Sequence, residues 1–179
     1  STFSNALRAG TEIFSILKGI LSQKGFSIAV GDEGGFAPEI KNLKEALSFI
    51  AEAVDLSDYK LGENVFIAID AAASELYKDG KYHLKGENKT LSTDELIKFW
   101  VEICDEFPII SVEDPFDEND WDGFKKLTEL IGSKVQIVGD DLFVTNKTRL
   151  LSGIESKAAN SILIKPVSYT HLRAHETVL

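Results

Sequence analysis

Four short apolar runs of this sequence each end at a charged residue: Asp70, Glu113, Asp140 and Lys165. If the runs are parallel strands of one barrel, these side chains project into one bowl at the C-terminal ends of the strands, where such folds place their chemistry. Two carboxylates about 4 Å apart repel by roughly 4 kcal/mol at an effective dielectric of about 20, so converging acids require a counter-ion. Mg²⁺ prefers carboxylate oxygens and keeps positions for water and substrate. The pattern therefore indicates a Mg²⁺ site.

Lys165 is placed to act as a base beside that site. A nearby divalent charge lowers the pKa of a lysine, and the neutral amine can then remove a proton. Each charged residue also has a structural interpretation, because a carboxylate just past a strand often caps the next helix, as we expect for Asp120. A lone lysine can likewise lie along the rim of a sheet. The joint pattern of three acids and one lysine favours the functional interpretation.

The elements that must position these residues follow from apolar periodicity. Helices are predicted over residues 4–24 and 43–54, from the capping sequence STDE at Ser92, from Trp121 to Ile131, and after Thr145 and Asn146. Strands are predicted at 65–70, 108–113, 135–140 and 161–165, and their continuous apolar runs are typical of parallel strands buried on both faces. Asp79-Gly80 between Tyr77 and Tyr82 predicts a β-hairpin. This alternation indicates an α/β fold, either doubly wound or a closed barrel.

Composition limits the class of protein. The chain has 179 residues, 44% of them hydrophobic, so it can form one core and is too polar for a membrane protein. Its net charge of −10 argues against nucleic acid or an anionic membrane as a partner and favours a cation or a small ligand. The single Cys104, expected as a small buried side chain, cannot form an internal disulfide, so a cytoplasmic location is expected. The sequence has no Met, and we expect that its natural beginning is missing.

Five motifs of the sequence resemble those of enolases, apparently of bacterial type. In order they are VGDEGGFAP, AIDAAASELYKDGKY, SVEDPFDENDWDGF, QIVGDDLFVTN and NSILIK, and the similarity runs from about residue 3 to residue 165. As a bare pattern the first motif is only a Gly-rich turn, since it lacks the spacing of nucleotide-binding loops. The resemblance implies that the preceding FSIAV (26–30) is an extended connection between helices.

The enolase resemblance implies dehydration of 2-phospho-D-glycerate to phosphoenolpyruvate in glycolysis, with Mg²⁺ required. It implies that Asp70, Glu113 and Asp140 bind the metal. Lys165 would be the base and Glu33 the acid that helps the hydroxyl to leave, while Glu113, Asp140 and Lys165 would also contact the substrate. The parent enzyme would be a homo-oligomer, a dimer or larger, without nucleic-acid or membrane partners.

The resemblance also implies that the chain is a portion of a larger enzyme. Residues 1–165 correspond to the middle of a TIM-like (β/α) barrel domain, and such barrels need about 250 residues. Residues 166–179 depart from the family and are expected to be a foreign or disordered tail, in which His171 and His175 lack the third ligand of a zinc site. A partial barrel leaves strand edges unpaired, so the chain alone is expected to be inactive.

Two alternatives to an enolase remain open. One is another Mg²⁺-dependent enzyme of the enolase superfamily that acts on a different carboxylate, although GDEGG and GDDL together disfavour it. The other is a non-catalytic binding or structural protein, for which a partner would still bind after Lys165→Ala. An assay of the full-length parent with 2-phosphoglycerate separates the first alternative from an enolase.

Overall fold

The computed structural model describes residues 2–32 and 34–166. The described residues form two compact units. One comprises those up to Phe66 together with Lys85–Asn88, and the other comprises Ile67–Leu84 and those from Lys89 onward. No helix in the described ranges combines the length and apolar character needed to cross a membrane. The predicted tail with its two histidines lies outside the described residues, apart from Pro166.

The first unit is built on two amphipathic helices, α1 (Phe3–Gln23) and α2 (Leu43–Asp55). Each helix begins at a side-chain cap, since Thr2 accepts from the amide of Asn5 and Asn42 accepts from that of Glu45. The apolar stripes meet in a core that contains Ile20, Leu21, Phe49 and Ala53. The predicted helices are confirmed, and the FSIAV segment is an extended connection with a single bridge from Val30 to Phe36.

The second unit contains a parallel sheet whose strands alternate with helices. Its elements are β1 (Ile67–Asp70), β2 (Tyr77–Lys78), β3 (Lys81–Leu84), β4 (Lys89–Leu91), α3 (Thr93–Glu106), β5 (Ile109–Glu113), α4 (Trp121–Ile131), β6 (Gln136–Gly139), α5 (Lys147–Ser156) and β7 (Ser161–Ile162). The parallel sheet has the order β1-β5-β6-β7, and β2, β3 and β4 form a small antiparallel sheet. This is the α/β architecture of a partial barrel, in which sequence-adjacent parallel strands are neighbours in space.

The two faces of the parallel sheet differ in composition. Ile69, Val112 and Ile137 are aligned across β1, β5 and β6, and the last two are fully buried in the core. One residue further along, Asp70 and Glu113 are aligned with Val138. Because successive side chains of a strand alternate between faces, the acids point away from the Val112 side of the sheet.

Local sequence patterns correctly predict the ends of most elements. Ser92 and Glu95 form the predicted capping box at the start of α3, and Asp120 caps α4 by accepting from the amide of Gly123. The predicted hairpin is present, with Asp79 and Gly80 both at positive φ, as its tight turn requires.

The last strand is shorter than predicted. The apolar run from 161 to 165 predicts a strand up to Lys165, but β7 ends at Ile162. Leu163 still donates its amide to the carbonyl of Gly139, whereas the amide of Lys165 donates to the hydroxyl of Thr145. Beyond Leu163 the chain leaves the strand ladder, and the Lys165 amide bonds to a side chain in the loop after β6 instead of to the strand.

Candidate metal centre and active site

The predicted acids meet at the C-terminal ends of three neighbouring strands. Asp70 is the last residue of β1 and Glu113 the last of β5, and the two are directly aligned in the parallel ladder. Asp140 follows the last residue of β6 and is 8% exposed. Carboxylate oxygens of Glu113, Asp114 and Asp140 all lie within 4.8 Å of one another. The sheet topology thus brings together acids that are widely separated in sequence.

Asp114 is the member of this cluster that sequence reasoning did not single out. It is 3% exposed, and its two carboxylate oxygens accept the backbone N–H groups of Asp140 at 3.0 Å and Asp141 at 2.8 Å. The only sequence signal was its position directly after Glu113, which is equally consistent with a solvated acid. Its buried, doubly hydrogen-bonded state depends on β6, which is distant in sequence.

Asp70 occupies the edge of the site. Its carboxylate is not part of the group within 4.8 Å that Glu113, Asp114 and Asp140 form, and one of its oxygens accepts the backbone N–H of Ala72 at 3.1 Å. Its charge nevertheless reaches Glu113, since Asp70 is one of the groups that raise the pKa of that residue.

Burial and, after it, the crowding of negative charge set the electrostatics of the site. Burial, followed by the charges of Asp70 and Asp140, raises the pKa of Glu113 to about 6. Burial likewise raises the pKa of Asp114, although hydrogen bonds from backbone N–H groups oppose that change. A carboxyl group whose pKa is raised by neighbouring carboxylates is stabilised in its ionised form by a cation. The site therefore favours a bound positive charge.

Lys165 supplies one such charge in the described structure. Its ammonium forms an ion pair with the Asp140 carboxylate, and this contact is the main reason that the pKa of Lys165 is raised. The lowered pKa expected for a base presumes a divalent cation on the neighbouring carboxylates, so that expectation stays a prediction. The amide of Lys165 donates to Thr145, which fixes the backbone from which the lysine side chain extends.

Glu33, the predicted acid, lies outside the described residues. The turn around it is described on both sides: Gly34 donates its amide to the carbonyl of Gly31, and Gly31 donates to that of Gly35. Gly34 has a φ of 81°, a left-handed conformation that disfavours other residue types. Two backbone hydrogen bonds therefore hold Gly31 close to Gly34 and Gly35.

The donor set fits a hard divalent cation. The group within 4.8 Å consists of carboxylates alone, from Glu113, Asp114 and Asp140, and Asp70 is aligned beside Glu113 in the ladder. Mg²⁺ prefers such oxygen ligands over nitrogen or sulfur. Asp114 differs because both of its oxygens already accept backbone N–H groups. Asp114 therefore has fewer free oxygen lone pairs with which to coordinate a metal than the other acids have.

Comparison with known proteins identifies the relationship. A family model described as "Enolase, C-terminal TIM barrel domain" matches residues 1–172. Curated enolases from Natranaerobius thermophilus and from a Nitratiruptor species are each 54% identical to the chain over 165 residues, which is 92% of this chain and 39% of each relative. The chain thus spans about two fifths of the length of these relatives. It belongs to the family of enolase C-terminal TIM barrel domains.

Proposed function

We propose that this chain is the middle portion of the barrel domain of an enolase, a phosphopyruvate hydratase that dehydrates 2-phospho-D-glycerate to phosphoenolpyruvate in glycolysis. The observation that carries the proposal is the meeting of Glu113, Asp140 and Lys165 at the C-terminal ends of parallel strands in a member of this family. In such barrels this end holds the chemistry.

In this proposal Asp70, Glu113 and Asp140 hold Mg²⁺. When bound, the metal stabilises the negative charge that develops when a proton is removed next to an ionised carboxylate. The three acids are suited to this role because a cation relieves their mutual repulsion, which adds to burial in raising the pKa of Glu113.

Lys165 is the proposed base. Its amine takes the proton from C2 of the substrate, and the C2–H electron pair forms the C2=C3 double bond as the C3–O bond breaks. Glu33 donates a proton to the departing hydroxyl, which leaves as water. Lys165 can accept a proton only as the neutral amine, so its ion pair with Asp140 must be relieved before the reaction.

Further parts of the proposal concern the parent enzyme. We place it in the cytoplasm as a homo-oligomer, and we place the domain boundary between residues 165 and 166. The 179-residue chain by itself should form no phosphoenolpyruvate, because β1 and β7 are edge strands of the described parallel sheet and a barrel site requires a closed sheet.

The test of the proposal is a chimeric enzyme. In it, the 165 matched residues replace those of the Natranaerobius thermophilus enolase, and phosphoenolpyruvate formation from 2-phosphoglycerate is followed with and without Mg²⁺. We expect Mg²⁺-dependent activity that falls by about 10² to 10⁴-fold in Lys165→Ala, as for loss of a general base. The matched control is Lys147→Ala, which removes an exposed lysine at the start of α5.

Two results would refute the proposal. The first is a folded chimera, verified by its circular dichroism, that lacks activity on 2-phosphoglycerate. The second is a Lys165→Ala chimera that keeps activity within a few-fold of the unsubstituted chimera.

A further inference from the structure

We propose that Asp114 is a positioning residue that fixes the Asp140 end of the metal site and does not itself act as a ligand. The inference rests on the proposed function, since it concerns the same acids. It starts from the side chain: each Asp114 carboxylate oxygen accepts one backbone N–H, from Asp140 and from Asp141, and the residue is 3% exposed. The negative charge of Asp114 is thus directed at the backbone that carries Asp140.

Backbone hydrogen bonds of Asp114 connect the end of β5 to the end of β6 and to the segment after β1. Its N–H donates to the carbonyl of Val138 at 3.0 Å, and its carbonyl accepts the N–H of Ala73 at 3.1 Å. Main chain and side chain of one residue therefore bond to the segment after β1 and to the end of β6. This arrangement sets the spacing between the strand ends that carry Asp70, Glu113 and Asp140.

The conformation of Asp114 is consistent with this role. Its φ of 41° is in the left-handed region, which is unfavourable for a residue with a Cβ but is tolerated by Asp more readily than by most residues. Such a conformation persists where the surrounding contacts determine it. The hydrogen bonds to Ala73, Val138, Asp140 and Asp141 are those contacts.

A ligand role makes a different prediction. A carboxylate oxygen of Asp114 lies within 4.8 Å of those of Glu113 and Asp140, which is close enough for one cation to contact all three. If Asp114 were only a ligand, its removal would weaken metal binding and leave the metal-free backbone unchanged. If it positions Asp140, its removal loosens the amides of Asp140 and Asp141 even without metal.

The experiment uses the 179-residue chain with Asp114→Ala and Asp114→Asn. The Asn variant keeps one carbonyl acceptor and the side-chain shape, so it stays informative if the Ala variant folds poorly. Asp122→Asn is the control, because it removes the same charge from an exposed position in the first turn of α4. One readout is hydrogen exchange of the Asp140 and Asp141 amides without metal. The other is paramagnetic broadening of the amides of residues 139–141 by Mn²⁺, which takes oxygen ligands as Mg²⁺ does.

We expect exchange of both amides to accelerate by about tenfold or more in Asp114→Ala, as for loss of hydrogen bonds to a charged group. In Asp114→Asn, hydrogen exchange of one of the two amides should accelerate. The affinity for Mn²⁺ should fall in both Asp114 variants but not in Asp122→Asn. Unchanged exchange in both variants would overturn the inference, whether or not Mn²⁺ affinity falls. Absence of broadening by Mn²⁺ in the unsubstituted chain would instead count against the metal site of the proposed function, and the exchange readout would still decide the role of Asp114.

Discussion

The ammonium of Lys165 contacts the carboxylate of Asp140, so the proposed base and a proposed metal ligand form an ion pair. The Asp140 side chain is 11% exposed and that of Lys165 is 51% exposed. The lysine and a divalent cation therefore compete for the same carboxylate. The ion pair holds the lysine in its protonated form, and relief of the pair is required for its role as a base.

This competition predicts the effect of removing the lysine charge. In Lys165→Met, Mn²⁺ should bind the metal-free protein about two- to fivefold more tightly, because partly exposed ion pairs contribute up to about 1 kcal/mol. Broadening of the amides of residues 139–141 gives the affinity. Lys147→Met is the control and should leave it unchanged. Weaker binding of Mn²⁺ by Lys165→Met would show that the lysine does not compete with the cation.

A second prediction concerns the buried hydroxyl of Tyr82. It donates to Asp120 at 2.7 Å and accepts the amide of Asp117 at 3.0 Å, and the tyrosine is fully buried. Tyr82→Phe leaves the Asp117 amide without its acceptor and removes one donor from Asp120, which still accepts from the hydroxyl of Thr93. The substitution should lower the free energy of unfolding by about 1 to 3 kcal/mol. The midpoints of urea denaturation of the variant and of the unsubstituted chain measure this difference in the free energy of unfolding.

The matched control for Tyr82→Phe is Tyr77→Phe. Tyr77 is the antiparallel partner of Tyr82 in the hairpin, and it is 38% exposed. Its substitution should change the free energy of unfolding by less than about 0.5 kcal/mol, as is usual for surface positions. A change in the free energy of unfolding below about 0.5 kcal/mol for Tyr82→Phe as well would show that the buried hydroxyl contributes no net stability.

Sequence reasoning located the parts of the fold that depend on local pattern. Apolar periodicity predicted α1 to α5, and the capping residues Ser92 and Asp120 were predicted because a cap bonds within its own helix turn. The strand ends at Asp70 and Glu113 were predicted because a buried apolar run stops at the charged residue that ends the strand. The convergence of these acids followed from the parallel topology alone.

The features that sequence reasoning missed depend on contacts between distant segments. The short strand β4 (Lys89–Leu91) is polar and forms only by pairing with β3. Asp114 is buried because the amides of Asp140 and Asp141 provide donors 26 and 27 positions away. After the early end of β7, the amide of Lys165 bonds to the hydroxyl of Thr145, 20 residues before it in the sequence. None of these partners is encoded in the local pattern.

A third prediction contrasts two helical glycines. A Cβ at Gly153 in α5 would collide with the buried ring of Phe143, whereas a Cβ at Gly10 in α1 would have no atom within 4 Å. Gly10→Ala should stabilise its unit by about 0.5 to 1 kcal/mol, because alanine is the better helix former. Gly153→Ala should destabilise its unit by about 1 to 3 kcal/mol despite the same gain in propensity. Urea denaturation of each variant measures both values, and a stabilising Gly153→Ala would contradict the packing that we describe.

A fourth prediction concerns the reactivity of Cys104 in α3, which is partly exposed and not fully buried as the sequence predicts. Burial, and then the charge of Asp105, raises the pKa of its thiol to about 11. Because only the thiolate reacts, alkylation by iodoacetamide should accelerate with rising pH up to about pH 11. At pH 8 the thiolate fraction should be roughly two hundredfold lower than that of an ordinary thiol, whose pKa is about 8.5.

The unfolded chain is the control for Cys104, since the sequence contains one cysteine and every alkylation event reports on it. In urea the rate at pH 8 should rise by about two orders of magnitude, because unfolding returns the thiol to water and its pKa to the ordinary value. Mass spectrometry of the alkylated chain gives the rates. A rate in the folded chain that levels off near pH 9, or that equals the rate in urea, would show that the thiol is solvated and that the α3 face carrying it is open to water.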